Sequence, residues 1–388
     1  MSPPEKTSRP RSPLADLSPP PLIDILLPVK ERFGPDNAGA ISGVVHDLVS
    51  ASQSPECFHI YGHPVERPFD DVAFTGIAPR HTWLHGRNLG LAKAYLQHLG
   101  SRPAPALLEV HSRCHIAAHI KTTRPDLNVA LYLHNDPREM RGSRSTKERR
   151  HLLRSMSLII CVSDYIRGCF LDGLDAPPEL TTCVHTVRNG VDRWLQAPVT
   201  KTKTVLLVGR IVPEKGILEC AKALALVLAD KPGWDVVIAG ARRFENTGKG
   251  GYEDAVFQAL APLGARARMT GFLQQQDIRK LQQEASIIAC PSLWQEPMGK
   301  TVLEALAAGS ALLTTRRGGI PEAAEGRAHI IDDPNVETFA AALEKLVTDD
   351  AYRAGLQKIA WRDFPFTATK MADDADTHRA TAIKDTIG

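Results

Sequence analysis

The sequence predicts an α/β fold made of two consecutive doubly wound domains. Short apolar runs of strand length alternate with amphipathic stretches of helix length, which is typical of β-α units that feed a parallel sheet. At 388 residues the chain is too long for one ordinary domain, whereas two domains of about 170 residues would each bury a good core. Such folds bind ligands at the carboxyl ends of their strands, so we expect the functional site in the cleft between the domains.

Residues 1–21 are predicted to form a disordered tail. The stretch contains seven prolines and has almost nothing apolar to bury. Order is expected to begin near Leu22.

The first domain is predicted over residues 22–190. Its strand candidates are apolar runs, each followed by a turn or a polar cluster: Ile23–Val29, Phe58–Tyr61, Ala106–Val110, Asn128–Leu133 and Ser157–Val162. The clearest helix covers Ala40–Ser50, where apolar residues recur at helical spacing. Residues 184–192 are predicted to form a last strand and an exit turn.

The second domain is predicted over residues 191–360. Its strand candidates are again short apolar runs: Thr204–Val208, Asp235–Ala239, Arg268–Thr270, Ile287–Cys290 and Ala311–Thr314. Residues 361–388 are predicted to form a terminal helix.

Composition argues against several classes of protein. A net charge of +3 with 23% charged residues is nearly balanced, which argues against a dedicated nucleic-acid-binding protein. Seven cysteines without a C-x-x-C pair fit reduced thiols better than a disulfide framework, so we expect a cytoplasmic protein. The apolar run at residues 22–29 is interrupted by Asp24 and is too short to span a bilayer, so any membrane contact is expected to be peripheral.

The most informative segment is 296–304, in which Glu296 and Glu304 flank Gly299 at the start of an apolar helix. A helix that begins there presents unpaired N–H groups and the positive end of its dipole, which suit an anion such as a diphosphate. At 1.5 Å per residue the carboxylates are at most ~12 Å apart, and each can accept hydrogen bonds from hydroxyl groups. The alternative is that both are ordinary capping and surface residues.

Two cations are predicted at the end of a strand in the same domain. Arg210 follows the apolar run at 205–208, and Lys215 lies in the turn before the next helix. A planar guanidinium and a mobile ammonium group suit the neutralisation of a diphosphate leaving group. Taken alone, they could also be solvated side chains.

These segments resemble the retaining nucleotide-sugar glycosyltransferases of family four (group 1), which have the GT-B fold. Glu296 and Glu304 match the E-x7-E motif of that family. Residues 209–216 match its GR…PEKG segment, and residues 188–192 resemble its PNGVD connector.

The resemblance implies two Rossmann-like doubly wound domains that face a central cleft. Residues 22–190 would bind the acceptor and residues 191–360 the nucleotide sugar. Residues 361–388 would form a crossover helix that packs on the N-terminal domain, with a plain terminal helix as the alternative.

The resemblance also implies which residues bind the donor: Arg210 and Lys215 the phosphates, Glu296 the sugar hydroxyls, Glu304 the ribose, and Met298 and Gly299, through backbone amides, the sugar and phosphate. We expect no metal and no cofactor besides the nucleotide-diphosphate sugar as co-substrate, because the two cations and the helix end stabilise the diphosphate.

Two residues of the first domain complete the predicted donor site. Gly39 lies between the first strand and the first helix, where a missing side chain would let the backbone approach the phosphates or the sugar. His134 resembles the family's histidine near the donor sugar. The alternatives are a simple turn glycine and a core or capping histidine. The predicted catalytic residues are Arg210, Lys215, Glu296 and His134.

Retention of anomeric configuration needs either a carboxylate nucleophile or a same-face reaction in which the departing diphosphate takes the acceptor's proton. Glu296 is expected against sugar hydroxyls, and no second carboxylate is identifiable as a nucleophile, so we expect the same-face route. Catalysis would then consist mostly of positioning and charge stabilisation.

One cluster of histidines and a cysteine could instead bind a metal ion. His111, His115 and His119 recur every four residues beside Cys114, a spacing that could hold zinc. Zinc would need a further ligand that the sequence does not identify, so we predict no metal and expect His111 on the acceptor side.

The acceptor is expected to contact a basic stretch that follows His134. Arg138, Arg141 and Arg144 begin this stretch, which suits an anionic acceptor or peripheral contact with the inner face of an anionic cytoplasmic membrane. A solvated helix face is the alternative.

The predicted activity is transfer of a hexose-type sugar from a UDP- or GDP-sugar to a glycan or lipid-linked glycan, in polysaccharide or lipopolysaccharide assembly. A soluble sugar acceptor also remains open. The rival hypotheses are a non-catalytic nucleotide-sugar-binding regulatory protein and an epimerase or hydrolase of the same fold.

Overall fold

The computed structural model of the chain describes residues 9, 11–36, 38–80, 82–100, 102–241 and 251–387. The chain divides into two compact units. The first consists of the chain up to Arg188 together with the part from Ala368 onwards, and the second is Asn189–Thr367.

The helices and strands up to residue 188 are, in chain order, β1 Ile23–Leu26, α1 Ala40–Ser50, β2 Phe58–Gly62, β3 Phe74–Gly76, α2 Thr82–His85, α3 Arg87–Leu99, β4 Leu107–His111, α4 Cys114–Thr123, β5 Val129–Leu133, α5 Thr146–Ser155, β6 Leu158–Cys161, α6 Asp164–Leu171, α7 Pro178–Thr181 and β7 Val184–Thr186. The rest of the chain adds β8 Thr202–Val208, α8 Ile217–Leu228, β9 Asp235–Ala239, α9 Tyr252–Leu260, β10 Ala267–Gly271, α10 Gln275–Glu284, β11 Ala285–Cys290, α11 Lys300–Ala307, β12 Ala311–Thr315, α12 Ile320–Ala324, β13 His329–Ile331, α13 Val336–Thr348, α14 Asp350–Arg362 and α15 Ala368–Ile387.

The first unit contains a seven-stranded sheet of order β3-β2-β1-β4-β5-β6-β7. Its strand pairs are parallel, and β1, β4, β5 and β6 are buried along their whole length. Strands buried on both faces carry continuous apolar runs, which is why the sequence identified them. The helix predicted at Ala40–Ser50 is confirmed as α1.

The second unit contains a six-stranded sheet of order β10-β9-β8-β11-β12-β13, whose strand pairs are also parallel. Its core forms where α8 and α13 bury apolar faces against the sheet. The order reverses between β8 and β11, and ligands of open parallel sheets bind at such a reversal, beyond the carboxyl ends of the strands.

Two strands, β3 and β13, are absent from the sequence prediction. Each has three residues and lies at the edge of its sheet. A strand this short shows no alternation or apolar run, and a neighbouring strand decides its conformation.

The prediction of a disordered tail over residues 1–21 is wrong for residues 11–21, which the structure describes. Leu14 is fully buried. Arg9 also forms an ion pair with Asp373 of α15, with the guanidinium nitrogen 2.7 Å from a carboxylate oxygen. The proline-rich composition could not reveal the ion pair, because Arg9 and Asp373 are 364 positions apart.

Candidate functional site

Lys215 and Glu296, which lie 81 positions apart in the sequence, are in direct contact. The Lys215 Nζ atom donates to Glu296 Oε1 at 2.5 Å. The Ser292 hydroxyl donates to the same oxygen at 2.9 Å. Glu296 is buried, and its Oε2 has no partner among the described residues, so one oxygen is held and the other is available to accept a hydrogen bond.

The backbone around Gly216 explains how these two segments meet. Strands β8 and β11 are parallel neighbours, so the loops that follow them lie at the same edge of the sheet. Gly216 has φ +64°, and a Cβ atom there would lie 2.0 Å from the carbonyl oxygen of Pro291. The amide of Leu293 also donates to the carbonyl of Glu214 at 2.9 Å. Only glycine permits this close approach.

The helix predicted after Glu296 is confirmed as α11, which begins at Lys300 with Gly299 as its N-cap residue at φ +71°. A second glycine supports the same segment. Gly318 has φ +56°, and a Cβ there would lie 2.1 Å from the Glu296 carbonyl oxygen, which accepts from the Gly319 amide at 2.7 Å. The Gly318–Gly319 turn therefore fixes the backbone that carries Glu296.

Glu304 lies on α11 with most of its surface buried, and Gln282 of α10 orients its carboxylate. The Gln282 Nε2 atom donates to Glu304 Oε2 at 3.0 Å, and Gln282 is fully buried. Gln282 could not be identified from the sequence, because it lies in a polar stretch that gives no sign of a buried position.

The remaining donor residues of this unit lie near these elements in sequence but make no ion pair with them. Arg210 follows β8 and is exposed, and within the described part of the chain its side chain has no hydrogen-bond or ion-pair partner. Met298 is buried, so its side chain packs and only its backbone could serve a ligand.

In the first unit, the structure joins His134 and His111. His111 ends β4 and His134 follows β5, and these strands are parallel neighbours. His111 Nδ1 lies 2.8 Å from His134 Nε2, and His111 Nε2 lies 2.7 Å from Glu109 Oε1. His111 is fully buried, so the prediction that it contacts the acceptor is wrong: its two ring nitrogens are already engaged.

The Glu109 carboxylate is also bound by Arg379 of α15. Arg379 Nε donates to Oε2 at 2.9 Å and Nη2 donates to Oε1 at 2.8 Å. Burial raises the pKa of Glu109, but Arg379 and then His111 outweigh it and hold that pKa well below its ordinary value. Burial, and next the electrostatic interaction with His111, hold the pKa of His134 well below its ordinary value. The sequence alone does not point to Glu109 and Arg379, because their contact joins positions that are 270 residues apart.

Gly39 has a different neighbour from the one expected. It is the N-cap residue of α1, and a Cβ there would lie 1.9 Å from Glu31 Oε2. That oxygen accepts from the amides of Ile41 and Ser42 at 3.1 and 3.3 Å. A carboxylate of the chain thus binds the helix end at which we expected a phosphate.

The predicted acceptor arginines are not equally available. Arg138 forms ion pairs with Asp136 at 2.7 Å and Asp172 at 3.0 Å. Arg144 reaches the Glu139 carbonyl at 3.4 Å. Arg141 is exposed. Carboxylates and a carbonyl group of the chain therefore already bind two of these three arginines.

The residues considered for zinc do not share one helix face, because His111 belongs to β4 while Cys114, His115 and His119 lie on α4. Burial raises the pKa of the Cys114 thiol to about 11. Among the described residues, no group of three or more metal-ligating side chains converges.

An open pocket of about 610 Å³ lies in the first unit beyond the ends of β1 and β2. Four cations line it, namely Lys30, Arg32, Arg67 and Arg87, together with the carboxylates Asp36 and Glu66. Arg67 lies 3.2 Å from Asp36. The other three cations have no ion-pair partner within the described ranges.

Within the described part of the chain, no helix combines the length and the apolar character needed to cross a bilayer.

Comparison with known proteins places this site in a family. Residues 191–362 match the family "Glycosyl transferases group 1". A glycogen synthase of Mycobacterium tuberculosis is 34% identical over 209 residues, which are 51% of this chain and 47% of that protein. The lipopolysaccharide 1,2-N-acetylglucosaminetransferase of Salmonella typhimurium is 24% identical over 225 residues, 56% of each chain.

Solved structures show the same fold. The crystal structure of HepE from Anabaena, in complex with UDP-glucose, aligns with a TM-score of 0.71 at 16% identity, covering 94% of this chain and 99% of that one. Residues 191–362 are therefore a glycosyl transferases group 1 domain, and the chain is a glycosyltransferase with the GT-B fold.

Proposed function

We propose that this glycosyltransferase moves a hexosyl group from a nucleoside-diphosphate sugar to a hydroxyl of a glycan acceptor, with retention of anomeric configuration. The observation that carries the proposal is the contact of Lys215 and Ser292 with one oxygen of Glu296 beside the start of α11. It combines a cation, an oriented carboxylate and a helix N-terminus at the carboxyl edge of a parallel sheet.

Each group has a distinct task toward the donor. Lys215 and Arg210 neutralise the diphosphate, assisted by the N–H groups at the start of α11. The free Oε2 of Glu296 accepts from a sugar hydroxyl. Glu304, held by Gln282, accepts from the ribose hydroxyls.

The reaction proceeds on one face of the sugar. The bond from the anomeric carbon to the diphosphate oxygen breaks, and a bond to the acceptor oxygen forms on the same face. The departing diphosphate takes the proton of the acceptor hydroxyl. The chain stabilises the charge that develops on the diphosphate, chiefly through Lys215 and Arg210.

Two comparisons support the choice of substrates. HepE was crystallised with UDP-glucose, which favours UDP-sugars over GDP-sugars as the first donors to test. The Salmonella relative acts on lipopolysaccharide, which favours a role in polysaccharide or lipopolysaccharide assembly, with a lipid-linked glycan at the inner face of the cytoplasmic membrane as one candidate acceptor.

The direct test is incubation with a panel of UDP- and GDP-sugars, with and without glycan acceptors, while nucleoside diphosphate release is measured. We expect release that depends on both one donor and an acceptor. Binding without turnover would identify a regulatory protein, acceptor-independent release a hydrolase, and interconversion of donor sugars without release an epimerase. The anomeric configuration of the product, determined by NMR, tests retention.

Chelation tests the part of the proposal that concerns metals. Because cationic side chains and a helix end are proposed to stabilise the diphosphate, activity after treatment with EDTA is expected to stay within about twofold of the untreated enzyme. Loss of activity that returns on addition of Mg²⁺ or Mn²⁺ would show that a metal supplies this charge.

Glu304→Gln is expected to raise the donor KM about tenfold or more with a smaller change in kcat. The substitution keeps the shape but removes the charge, and hydrogen bonds to charged groups contribute roughly 1.5–3 kcal/mol. Glu337→Gln, an exposed position on α13, is the matched control. An unchanged donor KM in Glu304→Gln would remove Glu304 from the donor site.

The cationic pocket beyond β1 and β2 is the acceptor site we favour, because three of its cations lack carboxylate partners whereas Arg138 has two. The double variant Arg32→Gln/Arg87→Gln is expected to weaken binding of a hexose phosphate tenfold or more, and to leave binding of the free hexose unchanged. The control is Arg80→Gln, which removes an exposed arginine bonded to Gln97. Equal affinity of the wild-type enzyme for the two sugars would contradict an anionic acceptor.

A further inference from the structure

Arg379 lies at one end of a chain of buried side chains that leads to His134. Arg379, Glu109 and His111 are each fully buried, and His134 is 7% exposed. Three contacts of 2.7 to 2.9 Å join Arg379 to Glu109 and Glu109 to His111, and a fourth of 2.8 Å joins His111 to His134. Helix α15 is therefore linked, through two intermediate side chains, to His134, which the family resemblance predicts to be catalytic.

The hydrogen positions along this series of side chains follow from the ionisation of Glu109. A carboxylate can only accept, so the proton between Glu109 and His111 must lie on His111 Nε2. A neutral His111 then has its lone pair on Nδ1 and must accept a hydrogen bond from the Nε2–H group of His134. His134 in turn has its lone pair on Nδ1, which has no partner in the described structure.

His111 lies beside a carboxylate whose charge is already compensated. Arg379 already compensates the Glu109 charge with two parallel hydrogen bonds, and burying a further cation beside it would carry a desolvation cost. The rings of His111 and His134 stack against Tyr132 at 4.9 and 4.8 Å. Asp376 lies beside Arg379, from which it accepts a hydrogen bond at 3.0 Å, and it also accepts a hydrogen bond from the Ser52 hydroxyl at 2.6 Å.

We propose that Arg379 is a positioning residue for His134: by keeping Glu109 an ionised acceptor, it orients His111 and so fixes the proton of His134 on Nε2. His134 then offers Nδ1 as a hydrogen-bond acceptor for a sugar hydroxyl. The tautomer depends on this protein's own side chains alone, whereas its catalytic consequence rests on the proposed glycosyl transfer and on the place near the donor sugar that the family resemblance implies for His134.

Removal of the guanidinium has a defined consequence. In Arg379→Met, Glu109 has only His111 to compensate its charge, and an adjacent carboxylate favours the imidazolium. A protonated His111 donates from Nδ1, so His134 Nε2 must accept and the proton of His134 moves to Nδ1. His134 changes from an acceptor to a donor toward substrate.

The test is nitrogen-15 NMR of histidine-labelled enzyme at pH 8, where exposed histidine side chains are neutral, so that any charge on His111 in Arg379→Met comes from its contact with the buried Glu109 carboxylate. The imidazole nitrogen shifts distinguish the two neutral tautomers from imidazolium, and the His134 signal is the one missing from His134→Gln. We expect the Nε2–H tautomer at His134 in the wild-type enzyme, the Nδ1–H tautomer in Arg379→Met, and largely wild-type signals in Arg379→Lys.

A matched variant distinguishes loss of the Arg379 contact from a general loosening of helix α15. Ile383→Ala removes a buried side chain from the same helix without touching the hydrogen-bonded chain, so the His134 tautomer should persist. The proposal is overturned if wild-type His134 carries its proton on Nδ1 or is an imidazolium. It is also overturned if Arg379→Met keeps the wild-type tautomer. The wild-type measurement decides the first point even where Arg379→Met does not fold.

Kinetics test the consequence for catalysis. In Arg379→Met, kcat is expected to fall about 10- to 100-fold with the donor KM changed less than about threefold, as for loss of one hydrogen bond to the reacting sugar. A reversed His134 tautomer with unchanged kcat would overturn the catalytic role of the series of hydrogen bonds from Arg379 to His134. The Lys215 and Glu296 assignments would stand, because they are tested by their own variants.

Discussion

Lys215→Met is expected to lower kcat/KM for the nucleotide sugar about 100- to 1000-fold, the largest kinetic effect of any single substitution in the chain. Lys215 holds one oxygen of Glu296 at 2.5 Å and supplies positive charge for the departing diphosphate. Removing one preorganised charge-stabilising group from an active site typically costs a factor of this size. The measurement is steady-state release of nucleoside diphosphate.

Two further variants sharpen that test. Lys222→Met, at an exposed position of α8, removes an equal charge from the same unit and should leave kcat/KM unchanged. Lys215→Arg keeps the charge but replaces a compact ammonium by a planar fork, so we expect only partial recovery. Activity of Lys215→Met within about threefold of wild type would exclude Lys215 from the donor site.

Arg379→Met is expected to cause the largest loss of stability, about 3–5 kcal/mol, because it leaves a buried carboxylate without its cation. The loss should appear in urea unfolding and as faster hydrogen exchange at the amides of β4. Replacing both partners, as in Glu109→Leu/Arg379→Met, removes the unpaired charge and should recover most of the loss. Lys280→Met, which breaks an exposed pair with Asp277 at 3.4 Å, serves as the surface control.

The same ion pair gives stability a pH dependence of known sign. The pKa of Glu109 is lowered in the folded protein, so the unfolded chain binds more protons as the pH falls. The contribution of this pair is fully present above the ordinary glutamate pKa of about 4.3 and is lost as the pH decreases below it. We expect the stability difference between the wild-type protein and Arg379→Met to shrink below that pH. A difference that is constant from pH 7 to pH 3 would contradict the assignment.

Some parts of the site follow from local sequence. The start of α11 at Lys300 follows from Gly299 and the apolar residues behind it, because glycine adopts a positive φ without strain. Arg210 and Lys215 are predictable because both lie in the short segment between one strand and the helix that follows it. Long central strands were found because strands buried on both faces carry continuous apolar runs.

Other features depend on which distant side chain arrives at a position. Gly39 looked like a site for phosphate, but Glu31 binds the N–H groups of α1. Arg138 looked available, but Asp136 and Asp172 pair with it. A carboxylate of the chain and a phosphate of a ligand satisfy the same donors, and a linear pattern does not distinguish them.

By itself, the sequence determined the two doubly wound domains and the Glu296–Glu304 segment of a glycosyltransferase, because apolar periodicity and a helix start are local properties of the chain. Only the tertiary structure decided which charges remain available to a ligand. Glu109 and Arg379 are 270 positions apart, and each would be costly to bury alone. Their contact, and the orientation it gives to His111 and His134, exists only once α15 has packed against the sheet of the first unit.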